Sequence, residues 1–190
     1  MSKAALEAIK KKFSSELLSE HAQHGDETLV VKKEKLVQIA EFSRDDAELA
    51  FDVLVDLTVV DYLIEGRTPR FEVVLHLRST SKKHRLRLKV PLEEGAPKVP
   101  SVVGVWKSAT WMEREAYDMY GVVFEGHPDL RRILLYPEFE GHPLRKDYPM
   151  ARRQPLYRRP ERQGDVWEQK HILSGPAAGD HFKGTYDLDR

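Results

Sequence analysis

Cysteine is absent from this 190-residue chain. That excludes thiol catalysis, disulfide bridges, cysteine-ligated zinc and a self-held iron–sulfur cluster. It fits an intracellular protein without requiring one. A net charge is missing too: 31 Lys and Arg balance 31 Asp and Glu, so no global field recruits nucleic acid or an acidic membrane. Long apolar runs are also missing. The best stretch, Val53 to Ile64, is broken by Asp56 and Asp61 and is too short to span a bilayer. The start, MSKAALEAIKKKFSSELL, has no apolar signal region, and Glu7 and Glu16 argue against a mitochondrial transit peptide. No phosphate-binding glycine loop or nucleophile elbow occurs.

What is present is a long enough chain for one domain with a real core. Leu6, Ile9, Phe13 and Leu17 stand at helical spacing around Lys10, Lys11 and Lys12, predicting an amphipathic first helix. Glu27 to Val31 reads as a short strand, and Leu36, Ile39 and Ala40 as a second helix. Ser43, three residues before Asp46, resembles an N-cap opening a third helix with Leu49 and Phe51. Three strands follow. Val53 to Val60 is apolar and β-branched; Phe71, Val73, Leu75 and Leu77 alternate with polar residues, and so do Leu86, Leu88 and Val90. Alternation with one polar face describes an antiparallel meander wetted on one side. The expected fold class is therefore α+β: a two-layer sandwich of a mainly antiparallel sheet with helices on one face.

Glu93 to Pro100 reads as a linker, and Ser101 as the N-cap of a short helix with Val103 and Trp106. A charge-dense segment follows, TWMEREAYDMYGVVFEGHPDLRRIL, from Thr110 to Leu134. Thr110 and Glu113 have capping-box spacing, and Gly121 stands where a left-handed stop belongs. Glu113, Glu115 and Asp118 could act as acid/base groups or hard-cation ligands. Helical geometry puts Glu115 and Asp118 on one face, and an Arg114–Asp118 pair at i,i+4 accounts for two of the charges. His127, His142 and Asp147 could be drawn as a 2-His-1-carboxylate metal site. Both histidines, however, lie in Gly-His-Pro turns, for which a turn role suffices. Beyond Tyr136 the chain is rich in Pro and Arg and poor in aliphatics, with Phe139, Tyr148, Tyr157, Trp167, Phe182 and Tyr186 at intervals. Such a composition describes interface anchors on an extended C-terminal tail. Single-stranded nucleic-acid binding would use similar residues, but the neutral total charge favours a protein partner. The expected division is 1–135 as the folded domain and 136–190 as the tail.

Glu113-Arg114-Glu115-Ala116-Tyr117-Asp118-Met119-Tyr120, followed by His127, Arg131, Ile133 and Leu134, resembles the signature of the 30 kDa subunit of respiratory complex I. In bacteria that family is the C subunit of NADH:quinone oxidoreductase. Gly141 to Pro149 looks like the segment next to it in that family, and Val55 to Tyr62 like the family's first sheet strand. The resemblance implies a scaffold subunit of the peripheral arm on the cytoplasmic face of the bacterial plasma membrane. It implies no catalytic residue, metal or cofactor in this chain; FMN, iron–sulfur clusters and quinone belong to other subunits. The implied partners are the quinone-site large subunit (the 49 kDa or D type), the small iron–sulfur subunit (the B type) and other arm subunits. Expected partner-interface residues are Glu113, Arg114, Glu115, Asp118, His127, Arg131, Arg132, Arg145, Lys146 and Asp147. The alternative is the equivalent subunit of a related membrane-bound hydrogenase or another quinone-reducing dehydrogenase.

Overall fold

A computed structural model describes residues 2–155; Tyr157, Trp167, Phe182 and Tyr186, and with them most of the expected tail, lie outside the described residues. The elements are α1 (Ser2–Phe13), β1 (Leu17–Gln23), β2 (Asp26–Val31), α2 (Leu36–Asp45), β3 (Val53–Asp61), β4 (Phe71–Arg78), β5 (Arg85–Leu92), β6 (Lys98–Pro100), α3 (Ala109–Tyr120) and β7 (Val123–Glu125). The main sheet has the order β1-β2-β5-β4-β3. The predicted meander is β3-β4-β5, antiparallel throughout. A β1-β2 hairpin joins it through a parallel β2-β5 pairing. The fold is the expected α+β sandwich with a mainly antiparallel sheet.

Alternation explains which side is covered. Phe71, Val73, Leu75 and Leu77 of β4 and Leu86, Leu88, Val90 and Leu92 of β5 are each 2% exposed or less. They share one core with Leu6 and Ile9 of α1, Leu36 and Ile39 of α2, and Ala109 and Ala116 of α3. Each such Val, Leu, Ile or Phe side chain contributes about 1.5–3 kcal/mol by leaving water. In β3 the buried positions run Leu54, Leu57, Val59, Asp61. The parity changes because the register against β4 shifts between Leu54 and Asp56, where a bulge inserts one residue.

Local readings differ from the structure in four places. α1 ends at Phe13, and Leu17 opens β1 rather than closing a helix. Ser43 lies inside α2, its hydroxyl donating back to the Ile39 carbonyl at 2.7 Å. No third helix starts there: Asp46 Oδ1 accepts the Glu48 and Leu49 amides in a turn. This short-range bond offers the backbone an alternative to a helix. Residues 102–107 form a turn, although Ser101 Oγ does accept the Val103 amide. The expected linker contains β6, which pairs in parallel with β7 as a separate two-stranded sheet.

The first compact unit runs from Met1 to Pro155, so residues 136–155 fold with the domain expected to end at residue 135. Their attachment defines the candidate site.

Candidate functional site: a charged latch beside helix α3

α3 packs mainly on the β3 edge of the sheet. Its stop is Gly121, at φ 77°, and the Gly121 amide donates to the Tyr117 carbonyl at 2.8 Å. Glycine is required twice over. A left-handed residue with a side chain is strained, and a Cβ here would lie 2.7 Å from the His142 ring.

The expected capping box does not form. α3 starts at Ala109 without a side-chain cap, because Ser108 already has helical backbone angles. Glu113 instead points into the protein, where it is fully buried. Its carboxyl accepts from Ser101 Oγ and from the Val102 amide, both at 2.7 Å. It thereby pins the turn that leads into α3. Burial pushes its pKa up to about 7, against the lowering effect of those two bonds.

The expected Arg114–Asp118 pair does not form either. Arg114 Nε and Nη2 donate to the Arg131 and Arg132 carbonyls at 3.1 and 3.0 Å. Its guanidinium lies 5.4 Å from the Trp111 ring, within cation–π range. Asp118, 0% exposed, takes Arg132 Nη1 on Oδ1 at 2.6 Å. Its Oδ2 accepts three consecutive amides, Ile133, Leu134 and Leu135, at 2.9–3.0 Å. Burial pushes this carboxyl up, but the Leu135, Ile133 and Leu134 amides and the Arg132 guanidinium together outweigh it and hold it low. Arg132 also donates to the Gly141 carbonyl at 3.0 Å, and His142 Nδ1 donates to the Asp118 carbonyl at 2.9 Å. Burial, with Arg132 and Arg145 nearby, pushes His142 below its ordinary value. His127 Nδ1 accepts the Asp129 amide and Nε2 donates to the Thr110 carbonyl. One helix thus clamps the chain at His127, along residues 131–135 and at His142.

A second cluster holds the next stretch, residues 145–147. Arg70, 5% exposed, forms a fork with Asp61 at 2.8 and 2.9 Å. It also binds Asp147 at 2.9 Å and Glu94. The Lys146 amide donates to Asp61 Oδ2 at 2.9 Å, and the Arg145 guanidinium lies 5.0 Å from the Phe71 ring. For Asp61, burial is again outweighed, by Arg70 and by the Lys146 and Leu63 amides, leaving a pKa of about 2. Sequence reasoning missed Asp61, Arg70 and Glu94. One signal was present: Asp61 occupies a buried-face position at the end of β3, where a carboxylate needs a partner.

The ten expected interface residues therefore divide. Glu113, Arg114 and Asp118 are buried; His127, Arg132 and Arg145 are partly covered; Glu115, Arg131 and Lys146 are exposed, as is Asp147, although its carboxylate turns in to Arg70. Glu115 is exposed and does not share the buried face of Asp118. Among the described residues no group of three or more His, Asp or Glu is placed to hold a metal ion. Among the same residues no helix is long and apolar enough to cross a membrane.

Residues 29–154, from β2 through the clamped segment, match the family model for the respiratory-chain NADH dehydrogenase, 30 kDa subunit. The chain belongs to that family. The NADH-quinone oxidoreductase C subunit of Geotalea uraniireducens is 46% identical over 142 residues, 75% of this chain and 84% of the relative. The C subunit of Caulobacter vibrioides is 52% identical over 135 residues, 71% and 67% of the two chains. Among solved structures, a trypsin-resistant fragment of Nqo5 superposes with a TM-score of 0.57 at 31% identity, covering 67% of this chain and 98% of the fragment. A membrane-bound sulfane sulfur reductase, an archaeal respiratory membrane complex, reaches a TM-score of 0.65 at 20% identity, a likeness of fold. The 30 kDa family match ends at residue 154, beside the end of the compact unit at Pro155.

Proposed function

We propose that this chain is a scaffold subunit in the peripheral arm of a proton-translocating NADH:quinone oxidoreductase. It carries no cofactor or catalytic residue of its own. It holds neighbours in register while electrons pass from NADH through iron–sulfur clusters to quinone in other subunits. One observation carries the reading: the buried charges of the signature, Glu113, Arg114 and Asp118, are consumed internally. Asp118 gives its oxygens to Arg132 and three amides, and Arg114 gives its fork to two carbonyls. Groups so saturated serve position rather than proton transfer. They set residues 131–135 in one conformation, as Asp61 and Arg70 set 146–147, and leave Arg131, 72% exposed, and Lys146 pointing outward.

The subunits contacted are the quinone-site large subunit and the small iron–sulfur subunit, at the cytoplasmic face of the bacterial membrane. Membership of the 30 kDa family and relatives named as the C subunit support this assignment. Mass spectrometry of proteins co-purifying with the tagged chain from mildly solubilised membranes tests it. NADH-binding and quinone-site subunits are the expected companions. A nickel-site large subunit would assign the chain to a hydrogenase-type complex instead, and a chain recovered alone would contradict the scaffold role.

A further inference from the structure

The sheet face away from the helices carries cross-strand rows of charge, and one row is unbalanced. Glu72, only 1% exposed, collects Tyr62, Arg67 and Lys89. In the next charged row His76 stands opposite both Asp56 and Arg87, and Arg87 reaches Asp26 at 3.5 Å. The end row reads Val53–Arg78–Arg85 across β3, β4 and β5. Arg78 and Arg85 are directly opposite each other and exposed. Arg67 and Lys89 pair with Glu72, and Arg87 with Asp26, yet among the described residues neither Arg78 nor Arg85 has an ion pair. Like charges directly opposite on a sheet destabilise it, so the pair costs the fold something with no internal return. Both line an open depression of about 470 Å³. Val53 and Val55 are exposed beside it by 38% and 51%.

We propose that this row is a docking point for an acidic segment of a neighbouring subunit, a carboxylate seated between the two guanidiniums with an aliphatic neighbour on Val53 and Val55. Two arginines offer fork geometry that matches a carboxylate. The depression as a whole is charge-balanced, with Asp26, Glu27 and Asp56 lining it beside Arg78, Arg85 and Arg87, so the site suits a single carboxylate held between the two opposed guanidiniums and not an extended polyanion. The inference rests on the scaffold reading and adds a second contact surface, on the opposite face of the sheet from the helices.

The test uses Arg78→Glu and Arg85→Glu, introduced singly into the full-length chain. Each substitution turns a repulsive cross-strand pair into an attractive one. The isolated chain's Tm is expected to rise by about 1–3 °C, while recovery of the chain in the assembled complex falls by about tenfold or more. Arg78→Lys keeps the charge but loses the fork, so its recovery is expected to fall between wild type and the Glu variants, about threefold below wild type, a difference of about 0.7 kcal/mol. Opposite signs for folding and docking support the proposal. A rise in Tm with unchanged assembly overturns it, as does a fall in both, which would make the pair structural. Loss in the variants of wild-type binding to phosphatidylglycerol vesicles, with assembly intact, also overturns it in favour of a membrane contact. Should the wild-type chain itself fail to join any complex, the scaffold reading fails first, and the two failures are told apart by that control.

Discussion

Asp118→Asn is the substitution with the most informative cost. The carboxylate is 0% exposed and accepts four bonds, three of them from the consecutive amides of Ile133, Leu134 and Leu135. An amide has one acceptor oxygen. Facing that oxygen to the three backbone donors leaves its NH2 group against the Arg132 guanidinium, donor to donor; turning it round orphans the three amides. Breaking a buried ion pair costs about 3–5 kcal/mol. Arg132 retains the Gly141 carbonyl, so the lower end applies, about 3 kcal/mol. For a unit of this size that is a fall in Tm of about 6–12 °C. Urea denaturation followed by circular dichroism measures the loss. Amide hydrogen exchange at residues 133–135 should accelerate by about 100-fold, at about 1.4 kcal/mol per decade. Glu115→Gln, an exposed change on the same helix, should stay within about 0.5 kcal/mol. If Asp118→Asn matched that control, the latch would be decorative and the reasoning wrong.

Glu113 titrates in the opposite sense. Its folded pKa is raised to about 7 from 4.5, so the native state holds the extra proton between those values. Its contribution is fully present below about pH 4.5 and is lost as pH rises to 7, by about 3 kcal/mol. Glu113→Gln should flatten that slope in denaturation curves taken from pH 5 to 8; an unchanged slope refutes the assignment. Asp61 behaves the other way, with a folded pKa of about 2 against 3.8. Its contribution of about 2 kcal/mol is present above about pH 4 and disappears as pH falls toward 2. Arg70→Ala leaves Asp61 buried without its fork and should cost about 3–5 kcal/mol, read by the same denaturation assay. Gly121→Ala should cost about 2 kcal/mol or more from the left-handed backbone and the His142 collision; wild-type stability would refute it.

How much could be read beforehand depends on the range of the signal. Phe71, Val73, Leu75, Leu77 and their partners on β5 announce the meander and its buried face because strand alternation is local and strict. Gly121 announces the helix stop for the same reason. The β2–β5 parallel pairing had no local mark, since it joins segments far apart in the chain. Glu113 was misread because T-x-x-E spacing is shared by a capping box and by a carboxylate turned inward to another turn. Arg114 and Asp118 satisfy the i,i+4 rule, yet three free amides and an arginine in the following loop offer Asp118 more than Arg114 does. Arg70 and Asp61 escaped notice because their meaning lies in Asp147, brought to them only by the folded chain. The signature's spacing identified the family, but its interior geometry belongs to tertiary structure.

The central claim, that these charges build a scaffold and not a reaction centre, is met most directly by Arg131→Ala. Arg131 is exposed and pairs with exposed Asp129, so the fold tolerates its loss. The measurement is NADH-dependent quinone reduction per assembled complex, beside the amount of complex recovered from membranes. Scaffolding predicts less complex, with each assembled unit turning over at the wild-type rate. A full complement of complex that has lost quinone reduction would contradict it.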